Sequence, residues 1–271
     1  MLGIPLQFRY KGSMCLYIFA HKTHPDYPLI LAGNRDEFYN RPTAPLHFWQ
    51  DYPHVLGGRD LERKGTWLGM TRQGRIAALT NFREGTPPKR KGFSRGLLVS
   101  NFLTGSLSPE PYLKKLSRDA ADYPGFNLLV GDALGLWYFS NRHPAIQKLK
   151  PGAYGLSNHL LNTAWPKLSR ARSAFESTFK KKNADHINDC IQILSDQKKV
   201  PDNALPQTGV DLDLERLLAS IYVTSPDYGT RSSSVILVNR KGDATFFEQT
   251  WQPAQSVPLP AEQKCFRFTV Q

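Results

Sequence analysis

Cysteine is scarce in this chain of 271 residues, which contains only Cys15, Cys190 and Cys265. Three widely separated cysteines cannot form the disulfide framework of a small secreted domain. None of them stands in a CxxC or a similar metal-ligand spacing. The sequence therefore argues against a disulfide-rich scaffold and predicts no structural zinc site.

Long apolar runs are also lacking. Charged residues or prolines interrupt every hydrophobic stretch well before the roughly 20 residues that a membrane-spanning helix needs. The opening of the chain has no apolar segment of export-signal length, because Arg9 and Lys11 interrupt it. We therefore expect a protein without a transmembrane segment that is located in the cytoplasm.

Acidic residues are outnumbered, since 23 Asp and Glu against 35 Lys and Arg give a formal net charge of +12. The basic residues fall in small separate groups, such as Lys89–Lys91 and Lys180–Lys182, without an aromatic-rich RNA-binding motif. This distribution does not favour nucleic acid as a partner and suits a small anionic ligand better. The length and balanced composition predict one globular domain and leave its oligomeric state open.

Alternating apolar and turn segments predict that strands dominate the start, middle and end of the chain, with helices between them. Two hairpin turns are predicted, at Gln73-Gly74 and at Lys241-Gly242. Helix-start residues such as Ser94 and Ser108 open one helical pair. Two longer helical patterns follow Thr163 and Ala184. This order suits a four-layer α/β/β/α sandwich with largely antiparallel sheets better than a doubly wound parallel sheet.

Polar clusters follow several of the predicted strands. The sharpest is GNRDEFYNRP, in which Asn34, Arg35, Asp36 and Glu37 directly follow the apolar PLILA. One such cluster is typical of a strand that ends in a capped surface turn. Further clusters at strand edges indicate a common cleft in which polar groups converge; they occur in GGRDLERKGTWLG, TNFREG, GLSNHLLNTAWPK and GTRSSSVILV.

These segments resemble the motifs of the NRDE family, which is named for its Asn-Arg-Asp-Glu stretch. The resemblance covers nearly the whole chain in the expected order. The family is similar to the N-terminal nucleophile hydrolases, above all to the cysteine acylases that cleave penicillin V and conjugated bile salts. That similarity implies the same α/β/β/α sandwich. The matching motifs are Met14-Cys15, GNRDEFYNRPT, GGRDLERKGTWLG, TNFRE, SRG, GFNLLVGD, GLSN followed by WPK, and GTRSSSVILV.

Members of this family usually begin with Met-Cys. Residues 1–14 are therefore predicted to be a leader, either a misassigned start or a short propeptide, ahead of a single domain at 15–271. A cysteine exposed at a chain terminus carries its own base, because an α-amine with a pKa of about 7.7–8.0 can accept the proton of a thiol near 8.5. Cys15 would then be nucleophile and base together.

Five further residues complete the predicted catalytic set. The charge of Arg35 would lower the pKa of the Cys15 thiol, and Asp36 would accept a hydrogen bond from the α-ammonium. Asn81 and Asn158 are the candidate donors to an oxyanion, and Arg231 would hold an anionic group or tune the thiolate. By resemblance, these are the positions at which the acylases keep polar catalytic residues.

Two functions follow from these features. The first is a cysteine hydrolase or acyltransferase that acts on a small non-peptide amide or a thioester and requires no cofactor. The second is a carrier that uses the same cleft, without catalysis, to bind haem, acyl-CoA or another lipid-like anion, as the family's links to haem and lipid homeostasis imply. Whether Cys15 has a free amine and a depressed thiol pKa would separate the two.

Overall fold

The computed structural model describes residues 14–85, 93–179 and 185–271. Apart from Met14, the predicted leader lies outside these ranges, as do the basic groups Lys89–Lys91 and Lys180–Lys182. Among the described residues, no α-helix combines the length and the hydrophobicity that spanning a bilayer requires.

The described residues form two antiparallel β-sheets. The strands are β1 (Met14–His21), β2 (Leu29–Phe38), β3 (Thr43–Phe48), β4 (Val55–Asp60), β5 (Leu68–Thr71), β6 (Ile76–Asn81), β7 (Phe126–Asp132), β8 (Gly135–Ser140), β9 (His143–Lys148), β10 (Gly152–Leu156), β11 (Tyr228–Val238), β12 (Asp243–Trp251) and β13 (Pro260–Thr269). The first sheet has the strand order β10-β1-β2-β11-β12-β13, and the second runs from β3 to β9 in sequence order.

Helices connect the strands outside the sheets. They are α1 (Gly96–Thr104), α2 (Pro109–Asp119), α3 (Pro166–Thr178), α4 (His186–Leu194) and α5 (Leu212–Leu218). Two short 3-10 turns occur at Ala120–Asp122 and Asp202–Ala204. Pro109 and Pro166 each stand at the start of a helix, where the missing N–H leaves no hydrogen bond unmade.

Three layers of apolar side chains hold these elements together. Tyr17 and its neighbours on the inner face of the first sheet pack against the second sheet. Phe102 of α1 and Leu113 of α2 pack on the outer face of the second sheet. Phe175 of α3 and Leu194 of α4 pack on the outer face of the first sheet. The fold is therefore the predicted four-layer α/β/β/α sandwich.

Strand β1 lies inside the first sheet, between β10 and β2, and all eight of its residues are buried. Because successive side chains of a strand point to opposite faces, Cys15 and Tyr17 belong to the core between the sheets. Leu16 and Ile18 belong to the core beneath the helices. The thiol of Cys15 therefore belongs to the layer between the two sheets.

Both predicted hairpins are present, β5 to β6 and β11 to β12. Gly74 and Gly242 have φ angles of +78° and +85°, which an L side chain adopts only with strain. Several elements were not predicted from the sequence. They are strands β3, β4, β9, β10 and β13 and helix α5.

Candidate active site

Cys15 lies directly opposite Arg35 in the antiparallel pairing of β1 with β2. The cysteine is 3% exposed. The Arg35 guanidinium stacks on the ring of Trp67, which immediately precedes β5, with its central carbon 4.0 Å from the ring centroid. The Tyr17 hydroxyl donates to the Trp67 carbonyl at 3.0 Å. Burial, and secondarily the nearby Cys15, raises the pKa of Tyr17 well above its usual value.

Arg231 lies on β11 at an irregularity in the pairing with β2, between Thr230 and Ser232. Its Nη1 donates to the Thr43 hydroxyl at 3.2 Å, and Nη1 of Arg35 donates to the same hydroxyl at 3.0 Å. Burial, and then the charge of Arg35, lowers the pKa of Arg231. Two guanidinium groups thus converge on one oxygen atom, and one of them belongs to Arg35, the register partner of Cys15.

A cavity of about 230 Å³ opens beside this pair of arginines. It offers cationic, aromatic and hydroxyl groups in one space, and its two carboxylates partly offset the arginine charge. Its lining residues are Arg35, Tyr39, Thr43, Pro45, Trp67, Arg231, Ser232, Glu248, Thr250, Trp251, Pro253 and Glu262.

Asp36 is 1% exposed and lies in register with Met14 on one side and Thr230 on the other. The Thr230 hydroxyl donates to its Oδ1 at 2.7 Å. Burial raises the pKa of Asp36 to about 6, although the charge of Lys167 and the bond from Thr230 act to lower it. Because it follows Arg35 in the strand, Asp36 occupies the opposite face of the sheet. Its predicted bond to an α-ammonium stays a prediction.

A hydrogen bond joins the side chain of Asn158 to the main chain of Asn81. Nδ2 of Asn158 donates to the Asn81 carbonyl at 3.1 Å, and the Ser157 hydroxyl donates to Oδ1 of Asn158 at 3.0 Å. The Asn158 carbonyl in turn accepts from the N–H of Arg83 at 2.7 Å. The structure thus joins the two asparagines, and their action on an oxyanion stays a prediction.

Three buried charged residues near this site were not assigned from the sequence. Arg83 and Glu215 form an ion pair of 2.6 Å, and Nζ of Lys167 donates to the Leu218 carbonyl at 2.7 Å. Burial, and then the charge of Arg83, lowers the pKa of Lys167 to about 7, against the opposing charges of Asp36, Glu215 and Cys15. Arg83 belongs to the TNFRE motif and Lys167 to the WPK motif. These two motifs were the features of the sequence from which both residues could have been identified.

The six predicted residues therefore fall into two connected groups. Cys15, Arg35 and Arg231 border the space between the sheets. Asp36 lies on the other side of the first sheet, within range of the charges of Arg83 and Lys167. Asn81 and Asn158 connect to that second group through Arg83. Convergence of all six on the sulfur of Cys15 stays a prediction.

Met14 is fully buried among Leu214, Leu218, Val223 and Tyr228. Its N–H donates to the Tyr228 hydroxyl at 3.0 Å, and that hydroxyl donates to the Asp36 carbonyl at 3.3 Å. The nitrogen of Cys15 is consequently a peptide nitrogen in this chain. Among the described residues, no group of three or more His, Cys, Asp or Glu side chains could hold a metal ion.

Fold and site together define a layered α/β/β/α protein in which a buried cysteine lies opposite Arg35, one of two arginines that line a small cavity. Residues 14–253 match the model of the family described as Transport and Golgi organisation 2. The match spans most of the chain, and the chain belongs to this family. The recognition as an NRDE protein is thereby confirmed.

Curated relatives align over nearly their full length. The chain is 38% identical over 261 residues to the Transport and Golgi organization protein 2 homolog of Bos taurus, covering 88% of this chain and 93% of the relative. It is 36% identical over 280 residues to the Homo sapiens homolog, covering 95% of this chain and 100% of the relative. It is 28% identical over 261 residues to the Drosophila melanogaster protein, covering 88% and 92%.

Solved structures show more distant likenesses. The Caenorhabditis elegans ortholog of N-acylethanolamine-hydrolyzing acid amidase aligns with a TM-score of 0.46 at 13% identity, covering 82% of this chain and 92% of that chain. A conjugated bile acid hydrolase from Clostridium perfringens aligns with a TM-score of 0.37 at 10% identity, covering 96% and 91%. The fold assignment depends on the strand pairings and layers described above.

Proposed function

We propose that the protein is a cysteine hydrolase or acyltransferase that acts on a small non-peptide amide or a thioester through an acyl-enzyme on Cys15. The observation that carries the proposal is the position of Cys15 directly opposite Arg35, which lines a small cavity together with Arg231. Cationic side chains beside a cysteine favour the thiolate, which is the reactive form. No cofactor is required for this chemistry.

The reaction begins once residues 1–14 have been removed, so that Cys15 has a free α-amine. The amine takes the thiol proton, and the sulfur attacks the carbonyl carbon of the substrate. The tetrahedral intermediate collapses, its bond to the leaving nitrogen or sulfur breaks, and the leaving group takes the proton from the α-ammonium. Water, or an acceptor in the transferase case, then attacks the thioester and restores the thiol.

The surrounding residues support separate steps of this scheme. Arg35 stabilises the thiolate by its charge, and Arg231 binds an anionic group of the substrate or tunes the thiolate. Asp36 holds the α-ammonium. Asn81 and Asn158 donate hydrogen bonds to the oxyanion of the intermediate. The last role requires an amide hydrogen of Asn158 other than the one that the Asn81 carbonyl accepts.

The preferred substrate is small and anionic or acylated. A cavity of about 230 Å³ has room for a small group rather than a folded peptide segment. The two arginines beside it favour a carboxylate or phosphate on the ligand. The excess of positive charge, +12 over the whole chain, attracts anions more generally. We propose a cytoplasmic location for this activity and no nucleic-acid partner.

A carrier function is the second candidate, and the burial of Met14 favours it. A methionine that continues β1 and packs in the core keeps the nitrogen of Cys15 in a peptide bond. An α-amine base is then missing, and the cavity serves to bind an anionic group of haem, acyl-CoA or another lipid-like anion, since about 230 Å³ does not enclose such a ligand whole. The two candidates differ in whether Cys15 reacts.

Intact mass spectrometry of the purified protein is the first test, because loss of residues 1–14 exposes the amine of Cys15. The second test is iodoacetamide labelling across pH of a chain that begins at Cys15, with circular dichroism as the control for folding. The hydrolase proposal requires Cys15 to react with an apparent pKa below about 8.5. If Cys15 does not react in a folded chain that still binds haem or acyl-CoA, the hydrolase proposal is wrong and the carrier function remains.

A further inference from the structure

A buried carboxylate belongs to the cavity that Arg35 and Arg231 line. Glu248 of β12 is 2% exposed and forms part of the cavity wall. It is in register with Ser234 of β11, which is in turn in register with Gly33 of β2. Register partners in antiparallel strands share a face, as do Gly33 and Arg35, which are two residues apart. Glu248 therefore lies between the sheets, in the row of side chains next to that of Arg35.

The direct hydrogen-bond partners of Glu248 are neutral groups. Its Oε1 accepts the main-chain N–H of Leu46 at 2.7 Å, which joins β12 to β3 of the second sheet. Its Oε2 lies 3.5 Å from the hydroxyl of Ser234, and the hydroxyl of Ser232 also donates to this carboxylate. These bonds fix the position of the carboxylate and leave its charge without a cation in direct contact.

Charges of both signs therefore line one small space. Arg35 and Arg231 converge on a single hydroxyl, at 3.0 and 3.2 Å. Burial raises the pKa of Glu248, although its hydrogen bonds and the charges of Arg35 and Lys264 act to lower it. The second acid of the cavity, Glu262, is exposed and lies 3.6 Å from Nζ of Lys264. Solvent screens that pair, so Glu248 is the acid whose charge acts inside the cavity.

We propose that the cavity binds the zwitterionic end of a small ligand, in which a short aliphatic chain joins an anionic group to a primary ammonium. Arg35 and Arg231 bind the anionic group, and Glu248 accepts a hydrogen bond from the ammonium. The inference rests on the proposed function only in taking this cavity as the ligand site. It concerns binding, adds no chemical step, and narrows the ligand class from small anions to amino acids.

The physical argument is the effect of Glu248 on a ligand that carries only an anion. Such a ligand brings its charge close to a buried carboxylate, and water screens the repulsion between them little in this setting. An ammonium on the same ligand replaces the repulsion by a charge-assisted hydrogen bond, which is stronger than a neutral one. The cavity should therefore prefer an amino acid to the carboxylic acid of the same length.

The test is an NMR titration of the full-length ¹⁵N-labelled protein at neutral pH. The probes are glycine, β-alanine, γ-aminobutyrate and δ-aminovalerate, each compared with the carboxylic acid that lacks the amine. The indole N–H signals report the site, because Trp67 and Trp251 line the cavity. The remaining three tryptophans are internal references, and single Trp→Phe variants assign all the signals; these references are Trp49, Trp137 and Trp165.

We expect the shifts to be confined to Trp67 and Trp251. At least one amino acid should bind about tenfold more tightly than its matched carboxylic acid, as one hydrogen bond between charged groups allows. Glu248→Gln should reduce this ratio to within about twofold, because the amide still accepts the N–H of Leu46 but has no charge. Glu262→Gln is the matched control and should retain the wild-type ratio, because its carboxylate is exposed and lies beside a lysine.

A second variant covers the case in which circular dichroism shows that Glu248→Gln does not fold. Glu248→Asp keeps the negative charge in the cavity and withdraws the carboxylate by one methylene. The amino acid that binds most tightly should then be one methylene longer than the one that the wild-type protein prefers. The same preferred length in Glu248→Asp and the wild type would contradict a direct contact between Glu248 and the ammonium.

The remaining outcomes separate this inference from the proposed function. Equal affinities for amino acids and their matched acids in the wild-type protein would overturn the inference, as would a preference that survives Glu248→Gln. Shifts at the reference tryptophans alone, or no shift with any probe, would also contradict it. None of these results depends on acylation of Cys15. If Cys15 is never acylated but the preference is found, the inference stands and describes the binding site of the carrier.

Discussion

Nη1 of Arg83 and Oε2 of Glu215 lie 2.6 Å apart, with side-chain exposures of 0% and 4%. The other Glu215 oxygen, Oε1, accepts the N–H of Thr208 at 3.0 Å, and the Arg83 guanidinium lies over the Trp165 ring at 4.7 Å. The pair therefore joins the end of β6 to α5 and to the start of α3, which positions Lys167.

Breaking this pair on one side only should be strongly destabilising. Arg83→Met leaves Glu215 as an uncompensated buried carboxylate, and we expect the free energy of unfolding to fall by about 3–5 kcal/mol in urea titrations. Arg83→Met combined with Glu215→Leu should recover much of that loss. The exposed pair of Arg216 and Asp202 is the control, because solvent screens its charges and Asp202→Asn should therefore cause a much smaller loss than Arg83→Met. Equal losses at the two sites would contradict the structure.

Arg35 should influence the Cys15 thiol more than Arg231 does. Arg35 is the register partner of Cys15, whereas the Nη1 of Arg231 donates to backbone carbonyls of Phe38 and Arg41. We expect Arg35→Gln to raise the pKa of Cys15 by about one unit or more and Arg231→Gln to raise it by clearly less. The pH dependence of iodoacetamide labelling measures both, and a larger effect of Arg231→Gln would contradict this order.

His21 should make the protein less stable in mild acid. Burial, with smaller contributions from Lys22 and Lys148, lowers its pKa from 6.5 to about 4. Between these values the unfolded chain binds more protons than the folded one, so the free energy of unfolding falls as pH falls from 6.5 to 4. The total loss from this residue is up to about 3 kcal/mol.

Urea titrations at several pH values can isolate this contribution. His21→Gln should flatten the pH dependence between pH 6.5 and 4 relative to the wild type. His54→Gln, at a half-buried turn position, is the matched histidine control and should retain the wild-type slope. An unchanged slope in His21→Gln would show that another group causes the acid sensitivity.

The Tyr228 hydroxyl should anchor the start of β1. It accepts the N–H of Met14 and donates to the Asp36 carbonyl, with both bonds buried. Tyr228→Phe leaves these two groups without their partner, and we expect a loss of about 1–3 kcal/mol in unfolding free energy. Tyr27→Phe is the control, because its hydroxyl makes no hydrogen bond among the described residues. Hydrogen exchange at Met14 should accelerate in Tyr228→Phe alone.

Much of the fold could be predicted from local pattern. The β5–β6 and β11–β12 hairpins have turn glycines between apolar runs, and the five described helices begin near Pro or cap residues, although Asp211 at the start of α5 was not recognised. The pairing of β1 with β10 could not be predicted, since Tyr17 and Leu156 are neighbours only after the chain between them has folded. Strand β13 was missed because its exposed edge position permits many charged residues.

The candidate site could also be predicted only as far as it depends on local pattern. Cys15, Arg35 and Asp36 lie in neighbouring strands, so their proximity follows from the motif itself. Lys167 escaped notice because a lysine in the first turn of a helix is usually solvated. Its burial arises from the contacts of α3 with β1 and with Leu218 at the end of α5, and a local pattern carries no information about such packing.

The most direct measurement of the central claim is whether Cys15 becomes acylated. A chain that begins at Cys15 would be incubated with a short-chain acyl thioester and quenched in acid, and its intact mass would be determined beside that of Cys15→Ser. The account predicts an increase equal to one acyl group on Cys15, localised by peptide mapping, and none in Cys15→Ser. A folded protein whose mass stays unchanged, or an adduct on Cys265 alone, would contradict the account.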